Sequence, residues 1–235
     1  MSKQTLTKNC GRANCDYNHN KCRLYAGKIY ETLFPTRVYP IRQALSGCKS
    51  VLDIGCGTGD LMAEVNKEGF YAVGVDLFKP YLTLSKEKNA HNEIIMGDIE
   101  TLEFKPKSFD AVMAMGVIEH LEKNKGNLLI NKMKKWARKK VLLITPNGYV
   151  TQHEYDENPF QIHKSGWTIK ELNALCFRVY GMGGLCFLKG EKAEVRLKPK
   201  ILWEVISDMT QKITYRYPTS AFELLCVKTL DCEDL

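Results

Sequence analysis

Short apolar runs bounded by turn residues recur along the middle of the chain. They are Val51-Leu52-Asp53-Ile54, Phe70 to Asp76, Glu93 to Ile99, Phe109 to Met115 and Val141 to Ile144. Runs this short and this apolar read as buried strands. Between them, apolar residues recur at helical spacing over Asp60 to Lys67, which Glu68-Gly69 closes, and over Tyr81 to Lys88. A longer stretch from Val117 to Lys139 follows, with Leu128, Leu129, Met133 and Trp136 as candidates for its buried face. Strands alternating with helices predict an α/β fold on a parallel sheet.

Downstream, Thr168-x-x-Glu171 has the form of a capping box, so a helix is expected to begin there, with Leu172 and Leu175 on its core face. Phe177 to Gly181 reads as a sixth strand and Ala221 to Lys228 as a seventh. The segment between them, about residues 182–219, carries a predicted helix near 201–213. Trp203, Ile206, Met209 and Ile213 recur there as a stripe expected to dock on the domain rather than on a membrane surface. Upstream, residues 1–47 read as an N-terminal arm or cap. It includes a possible helix from Asn20 to Leu33, broken by Phe34-Pro35-Thr36, and a lead-in from Val38 to Leu45. Residues 48–235 form the main domain.

Composition narrows the class. A chain of 235 residues holds one full α/β domain with residues to spare. No apolar run is long enough to span a bilayer, and the polar start Met1-Ser2-Lys3-Gln4 lacks a secretory apolar region. The expected location is therefore the cytoplasm. A net charge of +7 is mild, and the cations Lys132 to Lys140 read as a solvated helix end, so nucleic acid is not the expected partner. Nine cysteines, an odd number, argue against a complete disulfide framework; Cys56, Cys176 and Cys226 are expected as small core residues. Cys10, Cys15, His19 and Cys22 could supply four soft ligands to zinc, but their spacing matches no standard pattern, and no metal site is expected.

The chemistry centres on the exit of the first strand. Gly55, Gly57 and Gly59 alternate with Cys56 and Thr58 before the helix at Asp60. A strand, a glycine turn and a helix N-terminus form a nucleotide-holding corner. The dinucleotide fingerprint wants its third glycine where Asp60 stands, so a nicotinamide or flavin site is disfavoured. Asp76 closes the second strand about twenty residues on, where a carboxylate can accept both hydroxyls of a ribose.

Asp53-x-Gly55-x-Gly57-x-Gly59 resembles motif I of the class I S-adenosylmethionine-dependent methyltransferases. Three further stations fit the same family in order: Gly97-Asp98-Ile99; Phe109-Asp110-Ala111-Val112 running through Glu119-His120-Leu121; and Val141 to Gly148. The third of these four motifs is especially similar to the branch that methylates small metabolites and quinone precursors. The Asn-Pro-Pro-Tyr tetrad of amino-directed DNA methyltransferases is absent. The resemblance covers about residues 48–180 and the last strand. It implies a seven-stranded, mostly parallel, doubly wound sheet and S-adenosylmethionine as cofactor. The Gly55-Cys56-Gly57-Gly59 turn, Met115 and Gly116 would lie along its methionine part, and Asp53 would help to hold the ammonium. Asp76 and Leu77 would meet the ribose and adenine, and Asp98 with Ile99 would take the adenine. It further implies methyl transfer to an oxygen, nitrogen or carbon nucleophile, with a small-molecule acceptor expected first, RNA or protein second, and a non-catalytic cofactor-binding module third.

A long polar and aromatic stretch, 149–167, leaves the fifth strand and reads as a substrate lid. His153 and His163 within it, and His120 after the fourth strand, are the candidate general bases. Glu119 and His120 could equally be structural, bonding a neighbouring loop.

Overall fold

The computed structural model describes residues 37–154, 156–190 and 193–230. The possible zinc ligands Cys10, Cys15, His19 and Cys22 and the Asn20–Leu33 helix lie outside them. Six helices alternate with seven strands among the described residues: α1 (Val38–Leu45), β1 (Ser50–Ile54), α2 (Asp60–Val65), β2 (Tyr71–Asp76), α3 (Lys79–Glu87), β3 (Glu93–Met96), β4 (Phe109–Met115), α4 (Lys123–Trp136), β5 (Ala137–Pro146), α5 (Ile169–Ala174), β6 (Arg178–Leu185), α6 (Lys200–Arg216) and β7 (Ala221–Thr229). The strands form one sheet in the order β3-β2-β1-β4-β5-β7-β6. Pairings from β3 to β5 are parallel, and β7 runs antiparallel between β5 and β6.

Alternation along each strand divides the apolar runs between two cores, one on each face of the sheet. Leu52, Ile54, Val112, Ala114, Val141 and Leu143 face one side, where Leu129, Met133 and Trp136 of α4 and Leu172 of α5 cover them. Val51, Ala111, Met113, Leu142 and Ile144 face the other, under Ile41 and Leu45 of α1 and Met62 and Val65 of α2. Burying each such side chain contributes about 1.5–3 kcal/mol, so removing either helical layer would expose a full apolar face. The strand order reverses direction between β1 and β4. Their carboxyl ends therefore open a crevice at the point where α/β sheets hold ligands.

Several expectations change. The α4 stretch ends at Trp136, and the cations after it belong to β5. Arg138 and Lys139 clasp the buried carboxylate of Asp110 at 3.0 and 3.1 Å, so they are structural partners rather than a solvated helix end. Leu128 is exposed because it falls off the stripe formed by Leu129, Met133 and Trp136. Cys56 and Cys226 are buried as expected, but Cys176 is exposed at a positive φ of 63° just past α5.

The largest change is in α6, which packs polar side inward. Ser207, Gln211 and Thr214 are buried, while Met209 and Ile213 of the expected docking stripe are exposed. Glycines of β6 explain the inversion. A Cβ at Gly181 would lie 2.0 Å from the Thr214 carbonyl oxygen, and one at Gly184 would lie 2.3 Å from Ser207 Oγ. Helix and strand backbones approach too closely for large apolar side chains between them. The Gln211 amide fills the gap, accepting from Gly184 N–H and donating to Gly181 O, both at 3.2 Å.

Candidate active site

A cavity of about 810 Å³ opens over the carboxyl ends of β1, β2 and β4. The glycine turn forms its floor. Gly55, Gly57 and Gly59 all take positive φ, so the chain reverses within a few residues and aims backbone at the cavity. At Gly57 a Cβ would meet nothing within 4 Å among the described residues, which leaves an open cradle where a side chain would otherwise stand.

Asp76, at the end of β2, closes this floor. Its Oδ2 accepts Gly57 N–H at 2.9 Å and its Oδ1 accepts Phe78 N–H at 2.8 Å. Each oxygen keeps a lone pair for a second donor. Asp98 sits beyond β3, its Oδ1 accepting Glu100 N–H at 2.8 Å, with Ile99 beside it on the cavity wall. Cys56, Leu77, Met115 and Gly116 complete this half of the lining. Burial raises the Cys56 thiol far above its ordinary range, so it stays protonated.

Asp53 is elsewhere. It is buried beneath the turn, does not line the cavity, and meets His91 Nε2 at 2.9 Å; His91 Nδ1 in turn meets Ser85 Oγ at 3.1 Å. Burial pushes the Asp53 carboxyl up, against the pull of His91. This sealed chain ties the exit of β1 to the end of α3. Sequence reading did not single out His91: a lone histidine in a turn carries no local signal, and only the fold brings it under the glycines.

The other half of the cavity is walled by the stretch after β5. Gln152, Asn158, Phe160, Gln161 and His163 reach it. Trp167 anchors the far end of this stretch: it is fully buried, and its Nε1–H donates to Ile118 O at 3.3 Å. Lys164 and Ser165 N–H donate to Glu119 O at 2.8 and 3.0 Å. Asp156 Oδ2 accepts from the Tyr81 hydroxyl at 3.1 Å, pinning the near end to α3.

That anchoring brings His120 and His163 together, ring centroids 4.9 Å apart. His120 Nδ1 lies 3.2 Å from Ile162 O and His163 Nδ1 lies 2.6 Å from Val150 O, so each ring has a carbonyl to receive an Nδ1 proton. Burial, and then His163, lowers the His120 pKa to about 4. Glu119 is buried beside them, and burial pushes its carboxyl up to about 8. Its Oε2 is a buried oxygen without a hydrogen-bond partner among the described residues. The ligand-type atoms of Glu119, His120 and His163 lie within 4.8 Å of one another, close enough to share a divalent cation. His153 is exposed and does not line the cavity, so of the three candidate bases only His120 and His163 meet at the site.

A parallel sheet with a glycine cradle, a carboxylate closing β2 and another after β3 defines the class I nucleotide-type methyltransferase fold. The comparisons agree. A methyltransferase-domain family model matches residues 52–145. The 18S rRNA (guanine-N(7))-methyltransferase of Bos taurus is 36% identical over 72 residues, 30% of this chain and 26% of that protein. The mitochondrial ubiquinone biosynthesis O-methyltransferase of Schizosaccharomyces pombe is 27% identical over 176 residues, 61% of this chain and 64% of that one. The chain thus spans from about a quarter to just under two thirds of these curated relatives. Among solved structures, the methyltransferase domain of bacterial CtHen1 superposes with a TM-score of 0.56 at 18% identity, covering 84% of this chain and 98% of that domain. A methyltransferase from Mesorhizobium loti gives 0.53 at 15% identity, covering 82% and 97%. Residues 52–145 thus match a methyltransferase-domain family, and the sheet has the class I S-adenosylmethionine-dependent methyltransferase fold.

The residues present suit S-adenosylmethionine: an open glycine cradle, two carboxylates able to accept hydroxyl and amino donors, and the apolar Leu77 and Ile99.

Proposed function

We propose that the protein transfers a methyl group from S-adenosylmethionine to an oxygen, nitrogen or carbon nucleophile of a small molecule. The observation that supports this reading is the walled acceptor half of the cavity. The 149–167 stretch is fastened to the Ile118–His120 turn at one end and to α3 at the other, leaving room for a compact acceptor against His120 and His163.

In this reading Gly55, Cys56, Gly57 and Gly59, with Met115 and Gly116, hold the methionine part of the cofactor. Asp76 accepts the ribose hydroxyls, and Leu77, Asp98 and Ile99 hold the adenine. Asp53, sealed against His91, positions the turn instead of meeting the ammonium. The cofactor supplies an activated sulfonium methyl. The protein's own work is to align the nucleophile behind it and exclude water. Where the nucleophile must lose a proton, we assign His120 to receive it at Nε2. The Nδ1–H held by the Ile162 carbonyl selects that tautomer, and the lowered pKa keeps the ring neutral and ready. No helix among the described residues is long and apolar enough to cross a membrane, and the free cysteines suit the reducing cytoplasm.

A second reading, an RNA acceptor, draws support from the bovine relative's stated activity on rRNA. Calorimetric titration with S-adenosylhomocysteine, with NAD as control, tests the cofactor site: micromolar binding of the first alone is expected, and no binding refutes it. A labelled-methyl screen of small molecules and RNA then separates the acceptors. Labelling of RNA only, with salt-sensitive binding, would replace the first reading by the second.

A further inference from the structure

Helix α6 turns its apolar side to solvent. Leu202, Val205, Met209 and Ile213 follow one another at helical spacing along the meridian opposite the buried Ser207, Gln211 and Thr214. Their exposures are 52, 48, 57 and 57%, and Ile201 at the helix start reaches 78%. Of the seventeen exposed large apolar residues in the described chain, eight fall between Phe187 and Tyr217. A concentration of that kind marks an interaction surface. Because the inward face is satisfied by Gln211 and the β6 glycines, no turn of the helix about its axis could bury the ridge without losing those contacts.

Charge identifies the partner. Lys212 and Arg216 are exposed beside the ridge, and Arg196 and Lys198 are exposed just before the helix. The helix's acids, Glu204 and Asp208, lie on its flank, where they line a hollow with Lys189 and Lys200. Among the described residues the ridge is therefore aliphatic with Lys212 and Arg216 along it, and the exposed acids Glu204 and Asp208 stand to one side. A second copy of the chain would bring the cations beside two such ridges towards one another. RNA would use the cations but leave the aliphatic ridge exposed. A surface that is apolar at its core and anionic at its rim satisfies both features, and a bilayer containing acidic lipids is such a surface.

We propose that α6 is an in-plane docking helix for an anionic membrane surface, with the Leu202–Ile213 ridge among the upper acyl chains and the flanking cations at phosphate level. Ala193, in the segment leading to α6, also lines the main cavity, so docking would set the cavity close to the lipid surface. The proposal does not depend on the identity of the methyl acceptor.

The test is flotation of the full chain with phosphatidylcholine vesicles, with and without a minority of phosphatidylglycerol. Flotation with the anionic vesicles is expected. Leu202→Asp with Met209→Asp should weaken it at least about tenfold, and Lys212→Gln or Arg216→Gln about fivefold each, with reduced salt sensitivity. All variants should bind S-adenosylhomocysteine as the parent does, since none touches the cavity, and this control separates a failed surface from a failed cofactor site. Three results would overturn the proposal: no flotation with either vesicle, undiminished flotation of the Leu202→Asp/Met209→Asp variant, or a dimer that this variant converts to monomer while the parent does not float.

Discussion

Replacing Asp76 by alanine isolates the contribution of one carboxylate to the cofactor site. In the folded protein its two oxygens accept Gly57 N–H at 2.9 Å and Phe78 N–H at 2.8 Å, and their remaining lone pairs are assigned to the ribose hydroxyls. Hydrogen bonds to a charged group contribute about 1.5–3 kcal/mol each, net of the exchange with water. Water can enter the half-open site and replace part of the lost acceptor, so the net cost of the alanine variant should be about 1–3 kcal/mol in S-adenosylhomocysteine binding. That corresponds to a dissociation constant roughly 5- to 150-fold higher. The freed Gly57 N–H should also loosen the turn and lower the melting temperature of the unliganded protein by a few degrees, for about 1 kcal/mol lost. Asp76→Asn keeps one acceptor oxygen and should fall between the two proteins. Calorimetry gives the affinity, and circular dichroism with thermal melting shows whether the fold persists. An alanine variant that is folded and binds within twofold of the parent would refute the ribose assignment.

Other substitutions test other links. Gly57→Val puts a branched side chain at a φ of 53° and into the open cradle; cofactor binding should be lost while the far-ultraviolet spectrum survives, and retained affinity would show that the cradle is not used. Thr168→Ala removes the hydroxyl that accepts Glu171 N–H at 3.3 Å, and urea unfolding should register a loss of about 1 kcal/mol. Burial alone would raise the Glu171 carboxyl, but the Lys123 ammonium and the Thr168 donors hold it down to about 2, against an ordinary 4.5. Its folded pKa is depressed, so its contribution is fully present above pH 4.5 and is lost as pH falls towards 2. Glu171→Gln should therefore be less stable than the parent at neutral pH, and the gap should close in acid; a gap that is constant with pH would contradict the assignment. Leu143→Ala, at a fully buried position in β5, should cost about 2–5 kcal/mol in the same urea assay.

Local chemistry was enough to determine the α/β alternation, the glycine turn after β1, the acids at Asp76 and Asp98, and the cap at Thr168. Each depends on neighbours a few residues away: a strand buried on both faces is an apolar run, a turn with positive φ takes glycine, and a capping box spans four positions. The place of the crevice, between β1 and β4, came only with the strand order of the sheet. What long-range contacts decide was not legible. Asp53 reads like a ligand residue, yet His91, 38 positions away, draws its carboxylate under the turn. Arg138 and Lys139 look like a solvated helix end until Asp110 of the neighbouring strand meets them. His120 and His163 become neighbours only because Trp167 and the Glu119 carbonyl fasten the intervening loop, whereas His153, in the same loop, is left outside the cavity. Helix α6 shows the limit most clearly. Its period marks an apolar stripe of which Met209 and Ile213 are exposed while Trp203 and Ile206 are half-buried, and which face turns inward is set by the close approach of Gly181 and Gly184 to its backbone. Periodicity fixes the relative positions of side chains around a helix; only the packing partner determines which of them it buries.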